Sequence, residues 1–151
     1  MNVDLISIIN NDGGQTPFDG ELFHTESDLF VKLKIHGRVL NFSGRLEVSA
    51  DISAEVDTAC GRCLAPISEK LDFELSEIVG EDDVALSGTV LDVGELAVKN
   101  FFVVSPMNFL CSEGCLGLCG ECGANLNTES CSCEEEIIDE RLAVLKKLLE
   151  Q

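Results

Sequence analysis

Eight cysteines are the residues of this chain best suited to chemistry, and they fall in four close pairs: Cys60-x-x-Cys63, Cys111-x-x-x-Cys115, Cys119-x-x-Cys122 and Cys131-x-Cys133. A thiolate is a soft ligand. Two of them on one tight turn offer two corners of the tetrahedron that zinc prefers, with Zn–S bonds of ~2.3 Å. Gly61, Gly117, Gly120 and Gly123 stand beside the pairs, where the backbone has to bend around a metal. The expectation is structural zinc, one or two ions, with all eight cysteines as ligands. A site closed by four thiolates has no position left for water, which argues against a zinc hydrolase.

Other uses of the thiols fit less well. Disulfides persist in oxidising compartments. The first residues, MNVDLISIIN, have no basic leader, and Asp4 and Ser7 interrupt their apolar run. They do not read as a secretory signal, and no stretch approaches the ~18 apolar residues of a membrane span, so a cytoplasmic, reduced protein is expected. The CGEC of residues 119–122 has the spacing of a thioredoxin-like pair, but such a pair opens a helix, whereas GANLNTESC is turn-like. Iron–sulfur spacings are missing. His24 and His36 read as surface or strand residues. No phosphate-binding glycine loop and no Gly-x-Ser-x-Gly occurs.

Two groupings of the sulfurs are open. The more local one joins Cys119, Cys122, Cys131 and Cys133 and leaves Cys60, Cys63, Cys111 and Cys115 for a second site. That second site must close over the 47 residues 64–110, at an entropic cost of about 3 kcal/mol. Structural zinc contributes on the order of 10–16 kcal/mol, so the gap is no obstacle. The other grouping takes Cys111, Cys115, Cys119 and Cys122 together.

The elements that must position these pairs are legible in part. Leu29, Val31, Leu33 and Ile35 alternate with polar residues, and Gly37–Arg38 then reads as a tight turn. From Arg45 to Asp57 apolar and polar residues alternate without a miss, the mark of a sheet with one wet and one buried face. Leu71, Phe73 and Leu75 continue the pattern, which places CGRCLAP, residues 60–66, at the tip of a hairpin. Leu96, Val98, Phe101, Phe102, Val103 and Val104 suit a buried helix near 95–104, stopped by Pro106. Ile138, Leu142, Leu145 and Leu149 make one stripe of a C-terminal amphipathic helix, with acids at its start and Lys146 and Lys147 near its end. The fold class expected is α+β: a curled antiparallel β-sheet, a partial barrel, with a cysteine-rich zinc module and that C-terminal helix. Residues 1–90 would be the β-rich body carrying the Cys60/Cys63 hairpin, and residues 91–151 the helix, zinc module and C-terminal helix.

Charge bounds the partners. With 28 acidic against 10 basic residues the net charge is −18, a field that repels phosphate backbones and attracts basic proteins. The acidic runs Glu81–Asp83 and Glu134–Glu136 read as solvated faces.

CGRCL at 60–64, CSEGCLGLCGECGANLNTESCSC at 111–133 and DERLAVLKKL at 139–148 resemble, in content and order, the YceD family, the large ribosomal RNA subunit accumulation proteins of bacteria and plastids. The resemblance implies a role in ribosome biogenesis and no enzymatic activity or small-molecule substrate. Joined to the charge, it predicts an acidic factor acting through a basic ribosomal protein or large-subunit assembly intermediate, with ribosomal RNA met indirectly. The second reading is direct binding of precursor RNA by Lys32, Lys34, Arg38 and Arg45. The third is a thiol oxidoreductase.

Overall fold

A computed structural model describes residues 1–79 and 89–133. Its elements in chain order are β1 (Asn2–Asp4), β2 (Gln15–Glu26), β3 (Leu29–Phe42), β4 (Arg45–Ala59), β5 (Pro66–Val79), β6 (Val90–Asp92) and helix α1 (Val93–Val104). Strands β2 to β5 form an antiparallel meander in sequence order, and β1 pairs antiparallel with β6. Among the described residues the larger sheet ends at β2 and β5. The predicted C-terminal amphipathic helix, and the acidic runs at 81–83 and 134–136, lie outside the described residues.

Alternation fixes the faces. Val31, Leu33, Ile35 and Val39 of β3 and Val48, Ile52, Ala54 and Val56 of β4 are buried on one side, joined by Leu75 of β5 and Phe18 of β2. Each of the Val, Leu, Ile and Phe side chains among them contributes about 1.5–3 kcal/mol by leaving water. The helix covers this face with Val93, Leu96, Ala97 and Phe101, spaced for one helical stripe. It starts at Asp92, whose carboxylate accepts the N–H groups of Gly94 (2.9 Å) and Glu95 (3.1 Å), a cap typically worth about 1 kcal/mol. The Asn100 amide donates to Glu77 and ties the helix to β5.

Two sequence expectations need correction. Gly37–Arg38 is not a turn: β3 runs through it to Phe42, and the chain reverses at Ser43–Gly44, both at positive φ, as a two-residue hairpin demands. Gly37 interrupts the apolar series because it sits mid-row between Phe18 and Ala50, with Leu75 beyond. A Cβ there would run into the Ser49 carbonyl and the Ala50 methyl group. Second, α1 is buried only along one stripe; Val103, 81% exposed, Phe102 and Val104 face solvent. Residues 15–26, not singled out as a strand within the expected β-rich body, form one over their whole length.

One buried polar residue is fully used. Asn41 donates to the carbonyls of Ile8 (2.8 Å) and Ile9 (3.1 Å) and accepts from Gly44 N–H (3.1 Å), fastening the loop after β1 to the end of β3.

Gly37→Ala should lower stability by about 1–3 kcal/mol, the usual cost of overpacking a tight site, read as a lower urea midpoint with the metal content unchanged.

Candidate metal centres

The four cysteine pairs meet as two groups. Cys60, Cys63, Cys111 and Cys115 form one and Cys119, Cys122, Cys131 and Cys133 the other, with the sulfurs of each group all within 4.8 Å of one another. The grouping of Cys111 and Cys115 with Cys119 and Cys122 is not the one found. In the first cluster Cys60 and Cys115 sulfurs stand 3.8 Å apart and those of Cys63 and Cys111 3.5 Å. Sulfurs bound at ~2.3 Å to a common centre stand about 3.8 Å apart, whereas a disulfide needs ~2.05 Å. All eight thiols are free. Each cluster is a tetrahedral-sized, all-thiol site that could hold a metal ion.

The first cluster joins two distant parts of the chain. Cys60 and Cys63 come from the turn between β4 and β5, and Cys111 and Cys115 from the segment that follows α1. The Gly61 N–H donates to the Phe109 carbonyl (2.9 Å), and Leu118 N–H to the Arg62 carbonyl (3.1 Å). Cys60, Cys63 and Cys115 are buried with Ala65, Leu110 and Leu118 around them, a small second core beside the main one. In the second cluster Cys122 and Cys133 are exposed.

Both C-x-x-C turns have the same backbone. Leu64 N–H donates to Cys60 O (2.9 Å) and Cys60 N–H to Ala65 O (2.8 Å); Gly123 N–H donates to Cys119 O (2.9 Å) and Cys119 N–H to Ala124 O (2.8 Å). The residue after the second cysteine is left-handed in each, φ +59° at Leu64 and +75° at Gly123. This geometry aims amide N–H groups at the first sulfur. The backbones of Cys111, Cys63 and Arg62 bring the Cys60 thiol down to about 6, and those of Cys122 and Glu121 do the same for Cys119, also to about 6. Neighbouring sulfurs act the other way on another member of each cluster. Cys115 and Cys63 push Cys111 up to about 12, and Cys122 and Cys119 push Cys133 up to about 12. Each cluster thus holds thiols pulled in opposite directions, toward the thiolate and away from it.

Two residues outside the cysteine pattern shape the first cluster. The Asn127 amide donates to Cys115 Sγ (3.4 Å), and its oxygen accepts Leu116 N–H (2.8 Å). Arg62 sends its guanidinium to the Cys115 carbonyl (2.9 Å) and its backbone N–H to Cys60 Sγ (3.5 Å). Such partners orient ligands and moderate their charge. Their types carried no signal for this role, though Asn127 closes the GANLN stretch and Arg62 lies inside the first C-x-x-C. Cys119–Cys122 does not open a helix: turn residues follow it, and α1 is the one helix among the described residues. His24 and His36 are on β2 and β3, in neither cluster.

Protein purified without chelator is expected to carry two metal equivalents by elemental analysis. Cys63→Ser and Cys122→Ser should each remove one. The first variant should lose more of its urea midpoint, because its cluster is buried and closes the longer loop.

The profile of the family described as "Large ribosomal RNA subunit accumulation protein YceD" matches residues 48–149. Among curated proteins, the uncharacterized protein Rv2926c of Mycobacterium tuberculosis and the uncharacterized protein Mb2951c of Mycobacterium bovis are each 27% identical over 124 residues. Each alignment covers 74% of this chain and 59% of the relative, so the chain spans about six-tenths of their length. No solved structure matches the chain significantly. The family profile runs from within β4 through both cysteine clusters, and the chain belongs to the YceD family of large ribosomal RNA subunit accumulation proteins.

Proposed function

We propose that this protein supports accumulation of large-subunit ribosomal RNA as a non-catalytic, zinc-stapled acidic scaffold. It works in the cytoplasm, away from membranes, and contacts a basic ribosomal protein or an assembly intermediate that carries one. The eight cysteines are its zinc ligands, two ions in all, and their role is structural. Zinc suits an all-thiolate tetrahedron better than a hard cation does.

The observation that carries the protein-contact reading is the state of the few cations on the open face of the sheet. Lys32 lies 2.9 Å from Glu21 and Lys34 2.7 Å from Glu55. The Glu55 carboxylate raises the Lys34 pKa, and Lys34 in turn lowers that of Glu55. Two of the four basic residues that an RNA contact would use are thus already matched by acids. Asp19 and Asp51 stand across the ladders from His36, and Glu74 across from Asp51. A chain at −18 with Lys32 and Lys34 matched offers phosphates little. It offers a basic protein much, mainly as association rate and selectivity. No helix among the described residues is long and apolar enough to cross a membrane.

Depletion of the protein should lower large-subunit ribosomal RNA relative to small-subunit RNA. Affinity purification should recover basic large-subunit proteins in a salt-sensitive manner. Ribosomal RNA that stays bound after every ribosomal protein has been stripped away would overturn the protein-contact reading in favour of direct RNA binding.

A further inference from the structure

We propose that Leu64 and Leu116, standing on the collar of the first cysteine cluster, form with the end of α1 the docking site for the basic protein; the inference rests on the reading of the previous subsection. Leu64 occupies a left-handed backbone position, φ +59°, which costs a side-chain-bearing residue roughly 1–2 kcal/mol. The matching position of the other C-x-x-C turn, with the same pair of hydrogen bonds, is Gly123. Glycine is what that backbone favours. The chain instead holds a leucine there and leaves it 65% exposed, so the strain returns almost nothing to the fold. A strained residue with no structural benefit points to a contact made outside the molecule.

Leu116 is the corresponding exposed leucine on the cluster's second arm, without the positive φ of Leu64. It follows Cys115 as Leu64 follows Cys63, and it is 67% exposed. Its N–H is held by Asn127 Oδ1 at 2.8 Å, so the backbone that presents it is fixed. The same end of the molecule carries Val103 and, at 99% exposure, Met107. Between the β4–β5 turn and the segment after α1 runs a groove of about 370 Å³, lined by Leu29, Thr58, Gly61, Phe102, Met107 and Phe109. Of the exposed residues just named, Met107 lines this groove, while Leu64 and Leu116 stand on the cysteine turns; isolated exposed apolar residues need no explanation, but several at one end mark an interaction surface.

Charge selects the occupant. Glu26 and Asp28 in the β2–β3 turn, Asp57 near the end of β4 and Glu113 between two cluster cysteines are exposed at this end. Arg62, the cation within the first C-x-x-C, is turned to the Cys115 carbonyl. An apolar centre with an acidic rim fits a protein segment that presents an apolar side chain among lysines and arginines. It does not fit a phosphate backbone.

The test uses the full, metal-loaded chain and the individually purified basic proteins of the large ribosomal subunit. Leu64→Gly should keep both metals and the same or a higher unfolding midpoint, because glycine relieves the backbone. Its affinity for the protein that binds the wild-type chain should fall about tenfold, and Leu116→Ser should do likewise. Unchanged affinity in both variants would overturn this surface while leaving the acidic-scaffold reading in place. If the wild-type chain binds none of those proteins, both readings fall. Two further results would also count against the site: self-association of the wild-type chain abolished by Leu64→Gly, or a photocrosslinker at position 64 that reaches only residues 134–151 of its own chain.

Discussion

Cys60 and Cys115 are 55 residues apart in sequence, and their sulfurs have to meet at one end of the sheet. Four ionised thiols within 4.8 Å of one another repel unless a cation lies among them. Closing the chain over residues 64–110 adds about 3 kcal/mol of entropy cost. A zinc ion held by four thiolates contributes on the order of 10–16 kcal/mol, as much as the whole net stability of an ordinary domain, about 5–15 kcal/mol. On the zinc reading, one metal decides whether the segment after α1 stays against the β4–β5 turn. The three buried cysteines of that cluster, with Ala65, Leu110 and Leu118, are separate from the main core. The main core packs the sheet without drawing on the cysteines of this end.

That separation explains the division of surfaces. The inner face of the sheet is consumed by α1 and the loop fastened through Asn41. The outer face pairs lysines of β3 with acids of β2 and β4. Exposed pairs of this kind add little stability, typically under about 1 kcal/mol; their effect is to leave few cations free. Exposed apolar side chains stand at both ends of the sheet, Phe42 and Ile78 by the β3–β4 hairpin and Leu64, Leu116 and Met107 at the cluster end.

Sequence reading succeeded where side-chain period and burial coincide. Residues 45–57 alternate perfectly because β4 is central and has one wet face. The cysteine pairs were legible because spacing alone brings two sulfurs to one turn. It singled out no strand at β2, an edge strand where Gly20 and His24 take inward positions and Phe23 an outward one. It failed at Gly37, where the demand is for the absence of a side chain between two strands and not for a bend. The three-residue strands β1 and β6 are too short to carry a period. The exposed end of α1 was misjudged because Phe102, Val103 and Val104 match the stripe in type but lie off it, Phe102 meeting the rings of His24 and Phe101 edge to face and Val103 left 81% exposed. Arg62 and Asn127 act on sulfurs through contacts that exist only after folding.

Asn127 has a consequence for how the two clusters relate. It lies between Cys122 and Cys131, in the loop that the second cluster closes, yet its amide reaches the Cys115 sulfur of the first. Asn125 holds it there, accepting from its backbone N–H (3.0 Å) and its side-chain amide (2.8 Å), while Asn125 itself bridges to Leu118. The exposed second cluster therefore shapes the loop that completes the hydrogen bonding of the buried first one. Asn127, within that loop, holds Cys115 Sγ through its amide and Leu116 N–H through its oxygen. The β-rich part and the cysteine-rich part meet at the first cluster, which draws Cys60 and Cys63 from the β4–β5 turn and Cys111 and Cys115 from the segment after α1.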